Sequence, residues 1–442
     1  MQNDAITALN ASWVAPVVPR QQLWADFSVV MHQDRIIDLI STKDLAEKYP
    51  HADCVDLSGH LLIPGLVNLH THAAMSLMRG RADDLPLQDW LQKNIWPLEN
   101  QVMSAEFVKD GTLLACAEML RGGVTCFNDM YFFPESAAKA AIEVHMRASL
   151  GILAIESHSA YGMDALDYLN KGLATRDALR DESLISFCLA PHAPYSVSNQ
   201  TLERIALYAA ELDLPVHIHL HEAIDEIEQS LQQYQVRPLK RLQHLGLVDP
   251  HLVAVHAVHL NTEEIELLSE HGAHVAHCPT SNLKLANGLC DVGALLKAGV
   301  NVGLGSDGSA SNNRLDILAE MRLGALLAKF KQNDAGVINV HQALEMATLN
   351  GAKALGLDQK IGSLEIGKKA DIVAVNLNTL ELTPCYHPLS HLTYSAGREN
   401  VNHVWVDGVQ VLQHGQLLHI DQDALIKSTQ HWFEIIKRDS AC

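Results

Sequence analysis

Between residues 66 and 306 the chain alternates two hydrophobic patterns. Short, almost continuously apolar runs occupy residues 66–70, 124–128, 149–155, 185–191, 215–220, 252–257, 274–278 and 301–306. After most of them come longer stretches whose apolar positions recur at helical spacing, such as AEFVKDGTLLACAEMLRGG (105–123), TLERIALYAAELD (201–213) and NTEEIELLSEHG (261–272). Runs apolar on both faces belong to buried parallel strands, and eight of them separated by helices predict a (β/α)8 barrel. An open doubly wound sheet is the competitor, but no glycine-rich dinucleotide fingerprint follows an early strand. Helices after Arg314 and over 341–355 close the large domain.

The chain ends read differently. From about Trp13 to Leu62, and again in ADIVAVN (370–376) and VNHVWVDGVQVL (401–412), the pattern is that of short antiparallel strands, with an Asp407-Gly408 turn in the last. Both termini are therefore expected to build one small β-sandwich, residues 1–62 and 366–442, split by a barrel over 63–365. A length of 442 residues suits one large and one smaller domain.

Composition narrows the function classes. A formal charge of −20 argues against a nucleic-acid partner, which would want a basic face, and is read as a solubility feature. No run of about 18 apolar residues predicts a membrane span. The start, MQNDAITALN, lacks the basic and apolar regions of a secretory signal. The eight cysteines (Cys54, Cys116, Cys126, Cys188, Cys278, Cys290, Cys385, Cys442) form no Cys-X-X-Cys pair and read as reduced thiols of a cytoplasmic protein. Their spacing also excludes the zinc deaminases built on Pro-Cys-X-X-Cys. A symmetric homo-oligomer is the default assembly.

Barrel chemistry sits at the C-terminal ends of the strands. The first run, LLIPGLVNLHTH, ends in His70 and His72, whose side chains share one face. The fourth ends at His192. The fifth, HIHLHE, carries His217, His219 and His221 on one face with Glu222 beyond, and periodicity does not choose among the three. The sixth carries His256 and His259, and the eighth ends in Asp307, with Gly303 and Gly305 leaving room for close approach. Singly, each has a plain structural reading: a strand-end histidine is usually a satisfied surface group, Asp307 suits a turn and Glu222 suits a first helical turn. His274 and His277 are read as structural. Jointly, three imidazoles and a carboxylate at one mouth, with a free acid beside them, are what an open catalytic metal site requires.

The motifs IPGLVNLHTH, HLHE, VHAVHL, HCPTSNLKL (277–285), GLGSDG and GSLEIGKKADIVAV (362–375) resemble those of the amidohydrolase superfamily, in its mononuclear branch of aminohydrolases and chlorohydrolases. LQDWLQKNIWPLE (87–99) is similar to a segment of the 5′-methylthioadenosine/S-adenosylhomocysteine deaminases, and would lie over the site. The resemblance implies one divalent metal ion per subunit, Zn2+ first, with Fe2+ or Mn2+ as alternatives, held by His70, His72, His219 and Asp307. It implies that Glu222 shuttles protons and contacts the substrate, that His256 partners the bound water, that Asp307 accepts its proton, that Glu99 holds ribose hydroxyls and that His192 touches the substrate. Trp90 and Trp96 are candidates for the pocket wall, and equally for the core beneath it. The implied activity is hydrolytic deamination of an adenosine-type nucleoside, a small-molecule substrate, with no nucleic-acid or membrane partner. Rivals on the same site are deamination of guanine or cytosine and hydrolysis of chloro- or aminotriazines; a catalytically dead scaffold would have lost a ligand or the acid. ILAIES (152–157) lacks the arginine that relatives carry after strand three, which leaves the 5′ substituent open.

Overall fold

The computed structural model describes residues 5–438, so Cys442 and the first four residues lie outside it. Eight parallel strands run in sequential order: β1 (Leu66–Thr71), β2 (Val124–Asp129), β3 (Arg147–Ala154), β4 (Ile185–Pro191), β5 (Val216–Leu220), β6 (Leu252–His256), β7 (His274–His277) and β8 (Asn301–Leu304). The order curls the last strand back to the first, where the Asp307 amide donates to the His70 carbonyl at 3.0 Å and the Ser306 amide to Asn68 Oδ1 at 3.0 Å. Gly305 makes that approach possible, since a Cβ there would lie 2.8 Å from His70 Cβ and 3.0 Å from its backbone nitrogen. Strands β1, β2, β3 and β5 are buried at every position, as continuous apolar runs require.

Helices follow the strands and cover the barrel. Ala105–Arg121 starts at a Ser104 cap whose hydroxyl accepts the Phe107 amide. Thr262–Glu270 starts at a full capping box between Asn261 and Glu264. Asn199–Leu212 begins two residues before its apolar pattern suggests, because Ser198 caps it.

The two chain ends together form the second β unit. Its eight strands hydrogen-bond in one order, with Asp53–Pro64 at the centre between Ile6–Val14 and Ile372–Asn376. Two features differ from the expectation. The first strand begins at Ile6 rather than near Trp13, because the small and polar side chains of ITALNASWV, which buries Ala8, Leu9, Ala11 and Val14, break the apolar pattern. The pairing of Ile6–Val14 with Asp53–Pro64 is parallel, since a hairpin and the helix Thr42–Lys48 intervene and return the chain in the same direction. Asp53–Pro64 leads through Gly65 into β1, so the terminal sheet hands the chain directly to the strand that carries His70 and His72.

Candidate metal centre and active site

The rim of the barrel gathers the charged and imidazole groups. His70, His72 and His219 each present a nitrogen, all within 4.8 Å of one another, and His70, His256 and Asp307 form a second such triplet. His70 Nε2 lies 3.2 Å and His72 Nε2 3.3 Å from Asp307 Oδ1, and His219 Nε2 lies 3.3 Å from His70 Nε2.

The opposite ring nitrogens fix what these atoms are. His72 Nδ1 faces the Met130 carbonyl at 2.6 Å and His219 Nδ1 the His192 carbonyl at 2.8 Å. A nitrogen facing a carbonyl carries the hydrogen, so in both rings Nε2 is the nitrogen available as a ligand. Burial drives His70 down to about 4 and His219 well below the usual histidine range, so both are neutral near pH 7. Lone pairs and a carboxylate oxygen crowded on one point repel unless a cation sits among them. The donor set therefore fits one divalent metal ion, with imidazole and carboxylate ligands of the kind zinc takes.

The structure separates the three histidines of β5. His217, one rung below His219, packs behind His70 with its Nε2 3.0 Å from His70 Nδ1 and is buried. His221 lies past the strand end with φ of 54° and is turned away, its Nε2 accepting the Leu239 amide at 3.1 Å. Only His219 of the three reaches the donor cluster.

Two groups stand on its open side. His256 Nε2 lies 3.7 Å from Glu222 Oε1 and 4.0 Å from Asp307 Oδ2. Its Nδ1 faces Asn282 Oδ1 at 2.8 Å. Burial first, then the nearby Asp307 carboxylate, push the Glu222 carboxyl up, against the opposing pull of His256 and Asn287. Asn287 donates to Glu222 Oε1 at 3.0 Å and Ser281 to Asp307 Oδ2 at 2.6 Å. Behind Glu222, the buried Glu226 carboxylate accepts the His221 and Glu222 amides, each at 2.9 Å.

His72, His219, Glu222, His256 and Asp307 line a cavity of about 620 Å³. His192 lines it, with Nδ1 2.9 Å from Ser196 Oγ. Glu99 also lines it and is buried, accepting a 2.7 Å bond from the Tyr131 hydroxyl; burial raises its carboxyl to about 7. Trp90 and Trp96 both line the cavity and both pack on the main core, so the two readings of them coincide. They lie on a broken helix, Leu87–Trp90 and Trp96–Val102 joined by a π-turn over Leu91–Ile95, which walls the cavity. His274 and His277 lie outside its lining.

Sequence reasoning named none of Tyr131, Ser281, Asn282, Asn287 and Glu226 individually. Tyr131 stands two residues past β2, where the rim rule could have found it. Ser281 and Asn282 sit inside HCPTSNLKL, a stretch noted as a motif but given no roles.

The amidohydrolase family profile matches residues 61–411. A 5-methylthioadenosine/S-adenosylhomocysteine deaminase of Teredinibacter turnerae is 47% identical over 427 residues, covering 97% of each chain. The crystal structure of a Xanthomonas campestris adenosine deaminase with bound zinc superposes with a TM-score of 0.97 at 44% identity, covering 98% of this chain and 99% of that one. An atrazine chlorohydrolase of Arthrobacter aurescens shares the fold at 21% identity, with a TM-score of 0.87, covering 96% of this chain and 99% of that one. On the length of the match and the likeness of these chains, the protein belongs to the amidohydrolase family.

Proposed function

We propose that this protein is a metal-dependent hydrolase that deaminates adenosine-type nucleosides to the inosine analogue and ammonia, acting on one or both of the substrates named for its relatives, 5′-methylthioadenosine and S-adenosylhomocysteine. The observation that carries the reading is the convergence of three imidazole nitrogens and Asp307 on one point, with Glu222 and His256 facing it in a nucleoside-sized cavity. His70, His72, His219 and Asp307 would hold the metal. The chemistry a divalent cation would supply there is Lewis-acid activation of a water molecule for attack on C6 of the purine.

The side chains supply the remaining steps. Asp307 Oδ2, held in place by Ser281, accepts the proton released from the attacking water. Glu222, whose carboxyl is pushed up by burial, protonates ring N1 and makes C6 electrophilic. It then relays a proton to the amine, which leaves as ammonia. His256, oriented by Asn282, stabilises the charge that develops on the attacking oxygen. Glu99 holds the ribose hydroxyls, and His192 contacts the substrate. A cytoplasmic location belongs to the same reading, supported by seven described cysteines that are all free thiols. Among the described residues, no helix is long and apolar enough to cross a membrane.

The test is ammonia release from a panel of purine nucleosides and bases by a preparation with defined metal content. Turnover of adenosine-type nucleosides that scales with bound metal is expected. Turnover of free guanine or a chlorotriazine with none of adenosine nucleosides would refute it.

A further inference from the structure

Among the described residues, no lysine or arginine lines the main cavity. Apart from Asp307 and Glu222, its acidic side chains are Glu99 in its wall and Glu156 at its exposed rim, where the His158 imidazole is exposed as well. The surrounding wall is apolar and aromatic, including Leu87, Trp90, Trp96, Phe132, Leu153 and Ile155.

Cations on the segments framing the cavity are committed elsewhere. Arg241 donates to Asn199 Oδ1 at 2.8 Å and to the Val197 carbonyl at 2.9 Å, and stacks 3.8 Å from the centroid of the Tyr234 ring. Arg237 is paired with Glu264 at 2.7 Å and bonds the His259 carbonyl at 2.6 Å. Lys171 bonds the Tyr161 carbonyl at 2.7 Å and Asp167 at 2.8 Å. Glu156, by contrast, is fixed with its charge at the mouth: its Oε1 accepts the Ser198 amide at 2.9 Å and the Thr201 hydroxyl at 2.8 Å.

A 5′ substituent leaving the ribose finds apolar wall, the neutral hydroxyls of Ser157, Ser159, Ser196 and Ser198, and the Glu156 carboxylate, but no lysine or arginine. A carboxylate moved there from water loses its hydration and gains no counter-charge, which is among the most costly transfers a site can impose. We propose that this cavity selects adenosine-type nucleosides whose 5′ substituent bears no negative charge, accepting an apolar thioether and rejecting a carboxylate-bearing amino-acid side chain. The inference rests on the deaminase reading above and narrows it. An ammonium on the substituent meets Glu156 favourably, so the carboxylate alone is the rejected group.

The test compares kcat/KM for ammonia release from four nucleosides by the zinc-loaded protein at low ionic strength. These are adenosine, 5′-methylthioadenosine, S-adenosylhomocysteine, and the aminopropyl thioether that differs from the last only by loss of its carboxylate. Methylthioadenosine is expected to exceed S-adenosylhomocysteine on the order of a hundredfold, and loss of the carboxylate to recover about tenfold or more. Glu156→Arg is expected to raise kcat/KM for S-adenosylhomocysteine and leave methylthioadenosine nearly unchanged; an unchanged ratio removes Glu156 from the selection. Adenosine turnover with S-adenosylhomocysteine within about threefold of methylthioadenosine overturns the inference and leaves the deaminase reading intact. Equal rejection of the amine and the amino acid assigns the discrimination to length and overturns it too. No ammonia from any of the four overturns the deaminase reading, and the selectivity with it.

Discussion

Replacing Glu99 with glutamine separates the cost of burying a charge from the use made of it. Burial raises the Glu99 carboxyl from 4.5 to about 7, and the Tyr131 hydroxyl offsets only part of that rise. At 1.36 kcal/mol per unit the difference corresponds to about 3 kcal/mol. The sign follows from proton affinity. The folded state holds this proton more tightly than the unfolded chain does. The group therefore favours folding least above pH 7, and stability falls as pH rises from 4.5 to about 7. Roughly 2 kcal/mol of that loss falls between pH 5.5 and 8.5. Glutamine is nearly isosteric, keeps an oxygen for the Tyr131 hydroxyl and does not ionise. Denaturant unfolding of both proteins at pH 5.5 and 8.5 gives a double difference in which the other titrating groups cancel. Glu99→Gln should gain about 2 kcal/mol on the wild type across that interval. The same change should raise KM for ribosylated substrates by about 10- to 100-fold, the worth of hydrogen bonds to a charged acceptor, while sparing free adenine. The wild type should show a rise in KM as pH falls below about 7, and the substitution should flatten it. A pH-independent stability difference would refute the burial argument, and equal KM losses for adenosine and adenine would refute the ribose contact.

Other side chains offer sharper single outcomes. Glu222→Gln should retain metal by elemental analysis yet lose on the order of a hundredfold or more in kcat, and near-normal turnover would remove it from proton transfer. His219→Ala should lower metal content, whereas His217→Ala, altering only the group behind His70, should weaken metal affinity by about 10- to 100-fold; full occupancy in the first would show that the donor set is wrong. Gly305→Ala should force β8 from His70, with a loss of about 1–3 kcal/mol in unfolding free energy and weaker metal binding, and an unchanged melting temperature would contradict the close approach.

Period-two patterning and apolar continuity were enough to mark eight strands, because both faces of a barrel strand are buried and each strand writes that into its own residues. Strand-end position then pointed to His70, His72, His192, Glu222, His256 and Asp307 without knowledge of any contact. Periodicity assigns a face, not a height. His217, His219 and His221 share a face, and only the stagger of β5 against β1 puts His219, rather than its neighbour one rung below, level with His70. Family spacing could name His219, but the physical choice belongs to the assembled barrel. The partners that tune the site were likewise written nowhere locally. Tyr131 meets Glu99 across 32 positions, Asn287 meets Glu222 across 65, and Asp307 reaches His70 from beyond the strand that closes the barrel. Such pairings depend on where separate loops land on a common rim. The charge of the cavity, which no single segment carries, came only from closing them around one space.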